Sequence, residues 1–280
     1  MRVAVTGASG FIGTALCLRL SAAGHQVLGL SLRPGAAPLR FTDEAAVVHL
    51  AGIAHRRSTD VAELRRANID LARDVGLAAA ASGARMIFVS SIKVHGEDCE
   101  EPLREGSPFN PQDEYAVSKA RAEEALRAMA RLRLTVIRPP LVYGPGVKAN
   151  FLALMKAVAR GWPLPFASIV NRRSFLYVEN LADLVLRCLL ESSSQGRTYL
   201  PCDGEPLSTP QLCRDLARAL QKPSRLFPFP PRALEMLPGA RRLTRSLYAG
   251  AGALQSELAW HAPTPRTQGL GETARWFTAR

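Results

Sequence analysis

The stretch TGASGFIG, residues 6–13, decides the fold. Before it runs RVAVT (2–6), an apolar segment of strand length. After it comes TALCLRLSAAG (14–24), whose leucines recur at helical spacing and which stops at Gly24. Gly7, Gly10 and Gly13 therefore stand in a strand-to-helix turn. Glycines there allow a tight turn, close approach of a pyrophosphate to the backbone and close packing of helix on strand, and the helix N-terminus faces the phosphates. The spacing is G-x-x-G-x-x-G rather than G-x-G-x-x-G, and glycine-rich turns also serve folding alone. The offset from the first strand points to dinucleotide binding, with Ser9, Phe11 and Ile12 completing the loop.

Outward from this turn, strands and helices alternate. HQVLGLSL (25–32) reads as a second strand and AAVVHLAG (45–52) as a third apolar run. ELRRANIDLARDVGLAAAASG (63–83) is a long helix closed by Gly83. RMIFVSS (85–91) and LTVIRPP (134–140) are further strands. The alternation predicts an α/β, Rossmann-type doubly wound parallel sheet. After Pro140 the pattern changes to short helices and strands, then to a Pro- and Arg-rich tract (222–247), the mark of a smaller C-terminal substrate lobe. The expected division is residues 1–148 for the dinucleotide-binding domain, with 172–196 packing back on it, and 149–171 with 197–280 for the lobe.

Composition bounds the rest. The chain has 280 residues, 47% of them hydrophobic, enough to bury a full core. No apolar run reaches the roughly 18–20 residues of a membrane span, so no stable membrane insertion is expected. The N-terminal apolar run is too short for a signal peptide. Cys17, Cys99, Cys188, Cys202 and Cys213 are odd in number and lack metal-ligand spacing, which points to reduced thiols in a cytoplasmic protein and to no metal. The net charge is +12, but the basic residues are scattered and no aromatic-interleaved basic stretch appears, which argues against nucleic acid. The charge suits an anionic small substrate or attraction to an acidic membrane surface.

The run DEYAVSK (113–119) places Tyr115 and Lys119 four residues apart, on one face of a helix. Such a pair is either a tyrosine packed on a lysine stem or a phenol whose pKa a neighbouring cation lowers. At the end of the second strand, an acid would bind the ribose 2′-hydroxyl of NAD. Here the strand ends LSLRPG, with Ser31 and Arg33 and no acid, which favours a 2′-phosphate and hence NADP(H), with NAD(H) as the other choice.

With TGASGFIG, HLAG, VSSIKVHG, YAVSK and RPPLVYGPG in this order, the chain resembles the extended short-chain dehydrogenase/reductases, the family of nucleotide-sugar epimerases and dehydratases. The resemblance implies that Tyr115 exchanges a proton with a sugar oxygen and that Lys119 binds the nicotinamide ribose and lowers the phenol pKa. It implies that Ser91 bonds the same oxygen, with Ser90 beside it. Leu50, Ala51, Gly52, Asn68 and Pro139 correspond to residues lining the cofactor. Lys93, Tyr143, Asn150 and Arg173 correspond to positions on the substrate side, Arg173 as a phosphate ligand. A UDP-sugar substrate is implied, and a homodimer is compatible with it.

Two departures bear on the reaction. The segment between the second strand and VVHLAG is short, so the usual third strand is reduced to PLRF (38–41) or lost. Nucleotide-sugar dehydratases carry Asp-Glu directly after the catalytic Ser/Thr, and this chain has Ile92 and Lys93. Ile92 cannot move a proton, which argues against dehydration. Reduction of the C4 keto group of a UDP-4-keto-6-deoxy-N-acetylhexosamine, in surface polysaccharide biosynthesis, is the leading expectation. A UDP-glucose or UDP-N-acetylglucosamine 4-epimerase with tightly held NAD is the alternative, and a non-catalytic dinucleotide sensor is the third.

Overall fold

A computed structural model describes residues 1–32, 39–53, 60–250 and 252–280. The strands β1 (Arg2–Thr6), β2 (Gln26–Leu30), β3 (Ala46–His49), β4 (Arg85–Val89), β5 (Arg133–Ile137) and β8 (Thr198–Tyr199) form one sheet in the order β2-β1-β3-β4-β5-β8, every pair parallel. Alternate strand residues feed opposite faces. Val3, Val5, Val48 and Ile137 point to a core closed by α1 (Phe11–Ala22) and α6 (Val178–Leu190). Ala4, Val47, Met86, Phe88 and Val136 point to a second core under α3 (Leu71–Ser82) and α4 (Glu114–Arg127). Helices on both faces make the sheet doubly wound.

The long helix is broken into α2 (Val61–Arg65), a π-helical turn Arg66–Asp70 and α3. In the shortened segment, Leu39, Arg40 and Phe41 form no strand, and β2 is the sheet edge among the described residues. Phe41 is buried in the second core, against which Leu30, Leu32 and Leu39 also pack.

The smaller lobe holds β6 (Leu141–Tyr143) paired in parallel with β7 (Phe175–Tyr177), with α5 (Ala149–Ala159), α7 (Thr209–Ala219) and α11 (Arg266–Thr278) around one core. A satellite cluster of Phe166, Ile169, Cys213 and Leu234 lies beneath α8 (Pro231–Leu234) and α9 (Arg241–Thr244). The expected division at residue 197 needs correction. β8 extends the main sheet beside β5, and Leu254, Leu258 and Trp260, on and just after α10 (Ala253–Leu258), fill the core under α6. The Trp260 indole N–H donates to Asp183 at 2.9 Å, so its polar edge is satisfied where the ring is buried. Among the described residues no helix is long and apolar enough to cross a membrane, and all five cysteines are free thiols.

Candidate active site

The glycine turn leads from β1 into α1. Gly7 has φ +69°, a left-handed conformation that favours glycine. A Cβ on Gly13 would lie 2.1 Å from the Gly7 carbonyl oxygen and 2.8 Å from the Ala8 backbone, so helix and turn meet there with no room for a side chain. Ser9 and Gly10 are exposed at the mouth, and no side chain caps the first turn of α1. The free N–H groups of that turn suit the pyrophosphate of a dinucleotide. Phe11 turns away and packs toward Gly146 of the lobe, and Ile12 bridges the two cores. Gly13→Ala is expected to force the turn open. Overpacking of this kind costs about 1–3 kcal/mol, or roughly tenfold or more in dinucleotide retention. Dinucleotide released on denaturing equal amounts of wild type and variant checks this; equal retention counts against the turn as the phosphate cradle.

Thr6 was not singled out by its sequence context, yet it organises the neighbouring turn. Its hydroxyl accepts from the N–H groups of Leu50 (3.2 Å) and Ala51 (3.1 Å) and lies 2.9 Å from His49 Nδ1. Burial and the charge of Lys119 push His49 down to about 3, so its ring is neutral. Asn68, in the π-helical turn, clamps the next step. Its Oδ1 accepts from Ile53 N–H at 2.7 Å, and its Nδ2 donates to the Ile53 carbonyl (3.1 Å) and Ser118 Oγ (2.9 Å). A Cβ on Gly52 would sit 2.8 Å from Asn68 Oδ1 and 3.6 Å from Lys119 Nζ. Leu50 to Ile53 is thus held between β1 and α4. Ser31 is exposed just beyond β2; Arg33 lies outside the described residues.

Ser91 lies two residues beyond β4 and caps the short turn Ile92–His95, its hydroxyl accepting from Lys93 N–H at 3.2 Å. The same hydroxyl is the hydrogen-bond partner of Tyr115. Asp113 caps α4 by accepting from Ala116 N–H at 2.8 Å, which sets Tyr115 in the first turn. One turn later the Lys119 ammonium donates to the Val89 carbonyl at 3.0 Å and lies 4.7 Å from the Phe88 ring centre. Ser90 is buried with its hydroxyl unpartnered, and the buried Pro139 accepts from Ile92 N–H at 3.0 Å. An unpartnered hydroxyl beside Ser91, with the open glycine turn, fits a dinucleotide between them.

Two electrostatic details differ from expectation. Burial, with the Asp113 charge adding to it, pushes the Tyr115 phenol up to about 12, and only the Ser91 hydrogen bond opposes this. Lys119 is itself desolvated and falls to about 8, with Glu123 pulling the other way. A buried lysine whose folded pKa lies below its unfolded value of about 10.4 binds protons less well folded than unfolded. Stability then rises as pH climbs from about 8 toward the unfolded value. The urea stability of wild type minus that of Lys119→Met is expected to increase between pH 8 and 10, by up to about 1.4 kcal/mol per unit; a flat difference would count against the shift.

Lys93 is half-buried and pairs with Glu97 (2.9 Å) and Asp113, and Arg242 of α9 closes the cluster on the same two acids at 3.1 and 3.4 Å. Both carboxyl groups stay below their ordinary range because these cations hold them. Arg173 lies at this cluster, its pKa pulled down to about 10 by burial with Glu97 opposing, and its Nη1 donates to the Arg245 carbonyl at 3.0 Å. Asn150 is exposed in the first turn of α5. Tyr143 needs correction: it is 1% exposed, packed between Phe151 and Tyr177 in the lobe core, with its hydroxyl against Gly269. A ring at that density has no open face to offer a substrate.

Residues 3–200 match the family described as the NAD dependent epimerase/dehydratase family. A UDP-glucose 4-epimerase of Vibrio cholerae is 36% identical over 316 residues, covering 98% of this chain and 95% of that protein. The N-acetyl-alpha-D-glucosaminyl-diphospho-ditrans,octacis-undecaprenol 4-epimerase of Escherichia coli O157:H7 is 29% identical over 252 residues, covering 81% and 76%. The structure of RMD from Pseudomonas aeruginosa complexed with NADPH superimposes with a TM-score of 0.78 at 25% identity, covering 100% of this chain and 99% of that one.

Proposed function

The chain belongs to the NAD dependent epimerase/dehydratase family, and we propose that it inverts C4 of UDP-glucose or UDP-N-acetylglucosamine, as a UDP-sugar 4-epimerase. The observation that carries this is the Ser91–Tyr115–Lys119 arrangement beside carboxylates that are already committed. Asp113 and Glu97 are tied to Lys93 and Arg242, and Ile92 is buried at 2% exposure. Proton exchange at one sugar oxygen needs only the trio. Loss of water needs a free acid and a free base, which this arrangement does not provide. The near full-length relative supports the epimerase over the reductase.

The Gly7–Gly13 turn and the Leu50–Ile53 segment would hold a nicotinamide dinucleotide, which would supply reversible hydride chemistry at C4. The chain's residues do the rest. Tyr115 takes the proton of the 4-hydroxyl and gives it back to O4 after the sugar has turned over. Ser91 holds that oxygen by a hydrogen bond, and Lys119, one turn further along α4, would hold the nicotinamide ribose. Arg173 binds the diphosphate as a charged fork.

A specific observation favours a second reading, reduction of a UDP-4-keto-6-deoxy-N-acetylhexosamine. A phenol at about 12 rests protonated, the form that donates to a keto oxygen. No acid follows β2 at Ser31 or Leu32 either, which fits NADPH as consumed cofactor. The deciding experiment incubates the purified protein with each UDP-sugar, first without added cofactor and then with NAD, and follows the sugar protons by NMR. Interconversion of gluco and galacto forms is expected without net cofactor use. No interconversion, together with NADPH oxidation on a 4-keto sugar, would overturn the epimerase and leave the reductase.

A further inference from the structure

We propose that the outer face of the C-terminal lobe docks onto an anionic lipid bilayer. Three stretches meet over the satellite cluster of Phe166, Ile169 and Leu234. Residues 160–170 pair by backbone hydrogen bonds with 225–229, Leu164 N–H to the Arg225 carbonyl at 2.8 Å and Phe227 N–H to the Leu164 carbonyl at 3.0 Å, and α8 covers the same cluster. The inner side chains are spent on that cluster, yet apolar side chains also face outward. Trp162 is 54% exposed, Val170 97%, Met236 85% and Leu237 60%, and Phe227 and Phe229 are less open, at 40% and 38%. Burying one apolar face and exposing another is what an interfacial element does.

Charge identifies the occupant. Residues 156–173 and 220–245 carry ten Lys and Arg and one acid, Glu235; Arg173 and Arg242 turn inward to the Glu97 cluster, which leaves eight cations beside that one acid. Glu235 is paired with Arg245 at 2.6 Å. Arg160, Lys222, Arg225 and Arg232 are exposed and have no acid in ion-pair range among the described residues. Arg160 stacks over Trp162 with its guanidinium carbon 5.2 Å from the ring centre, joining a cation and an aromatic at one point of the surface. Indoles and phenyl rings settle at the headgroup level and cations bind anionic headgroups. A second copy of the chain fits poorly, because a two-fold contact sets this basic patch against itself. A nucleic acid fits poorly because the most exposed apolar residues, Val170 and Met236, have no ring on which a base can stack. The face lies one short helix from the active-site cleft, since α9 carries Arg242 into the cluster with Glu97 and Asp113.

The test is cosedimentation of the full chain with sucrose-loaded vesicles of phosphatidylglycerol and phosphatidylcholine, mixed or pure phosphatidylcholine, at low and high salt. Binding is expected to the mixed vesicles and to fall steeply at 1 M salt, where the Debye length shrinks to about 3 Å. Arg225→Gln with Arg232→Gln should weaken it about thirtyfold, at roughly fivefold per cation. Trp162→Ser with Met236→Ser should weaken it independently of salt. These positions lie outside the catalytic trio, so turnover of a soluble UDP-sugar stays at the wild-type level and serves as the check on folding. Absence of vesicle binding overturns the proposal, as does binding that both variants retain. Binding to a single-stranded oligonucleotide that displaces vesicles, or a dimer by light scattering that Trp162→Ser with Met236→Ser dissolves, overturns it in favour of those partners. Vesicle binding is read without turnover, so its outcome is separate from that of the epimerase assay.

Discussion

Tyr115→Phe is expected to lower turnover by about 10²–10⁴, the usual loss when a positioned acid–base group is removed. The phenol is half-buried, bonded to Ser91 and presented by the first turn of α4. Phe keeps the ring and its packing and removes only the proton carrier. UDP affinity and dinucleotide content should therefore stay within a few-fold of wild type, while the catalytic rate collapses with little change in KM. Turnover measured by NMR, with dinucleotide quantified after denaturation, separates the two. A Phe variant that keeps more than about a tenth of the rate would show that another group moves the proton.

The largest effect on stability is expected at Glu123 and Arg138, which no motif singles out. Glu123 is 0% exposed and Arg138 3%, joined at 2.6 Å with further bonds from the Arg138 Nε to both carboxylate oxygens. Arg138 Nη1 also donates to the Glu105 carbonyl and to His95 Nε2, each at 3.0 Å, and the guanidinium lies 4.8 Å from the Phe109 ring centre. A guanidinium can only donate, so His95 Nε2 accepts and Nδ1 carries the proton given to the Pro108 carbonyl at 3.0 Å. This agrees with a His95 pKa held down by burial. Glu123→Ala leaves a buried cation uncompensated and should cost about 3–5 kcal/mol, a fall in Tm of roughly 5–15 °C. Glu123→Leu with Arg138→Met removes both charges and should recover most of the loss. Urea melts of the single and double variants check this; a single variant costing under about 1 kcal/mol would mean the pair does not carry the loop 96–112.

That pair marks where sequence reading stops. Tyr115 and Lys119 are legible because four residues on a helix is a local spacing, and the glycine turn is legible because strand, turn and helix are contiguous. The β3 end and Asn68 followed from their place in a family pattern. Thr6 as a hub, and Lys93 pinned between Glu97 and Asp113, did not. Their partners lie 44, 45 and 20 positions away, and Arg242 reaches Asp113 across 129. Only the Lys93–Glu97 contact has a local spacing, and it reads from sequence as an ordinary surface pair.

By itself the sequence determined the alternation of strands and helices, the glycine turn at the first crossover and the helix bearing Tyr115 and Lys119. Each of these depends on periodicity, capping or backbone freedom within a few residues. The tertiary structure alone decided that β8 joins the main sheet, that Trp260 fills the core under α6, that Tyr143 is buried in the lobe, and that Asp113 answers to Lys93 and Arg242 while it caps α4. These depend on which distant segments burial brings together, and a side chain's burial and charge partners exist only once those segments have packed.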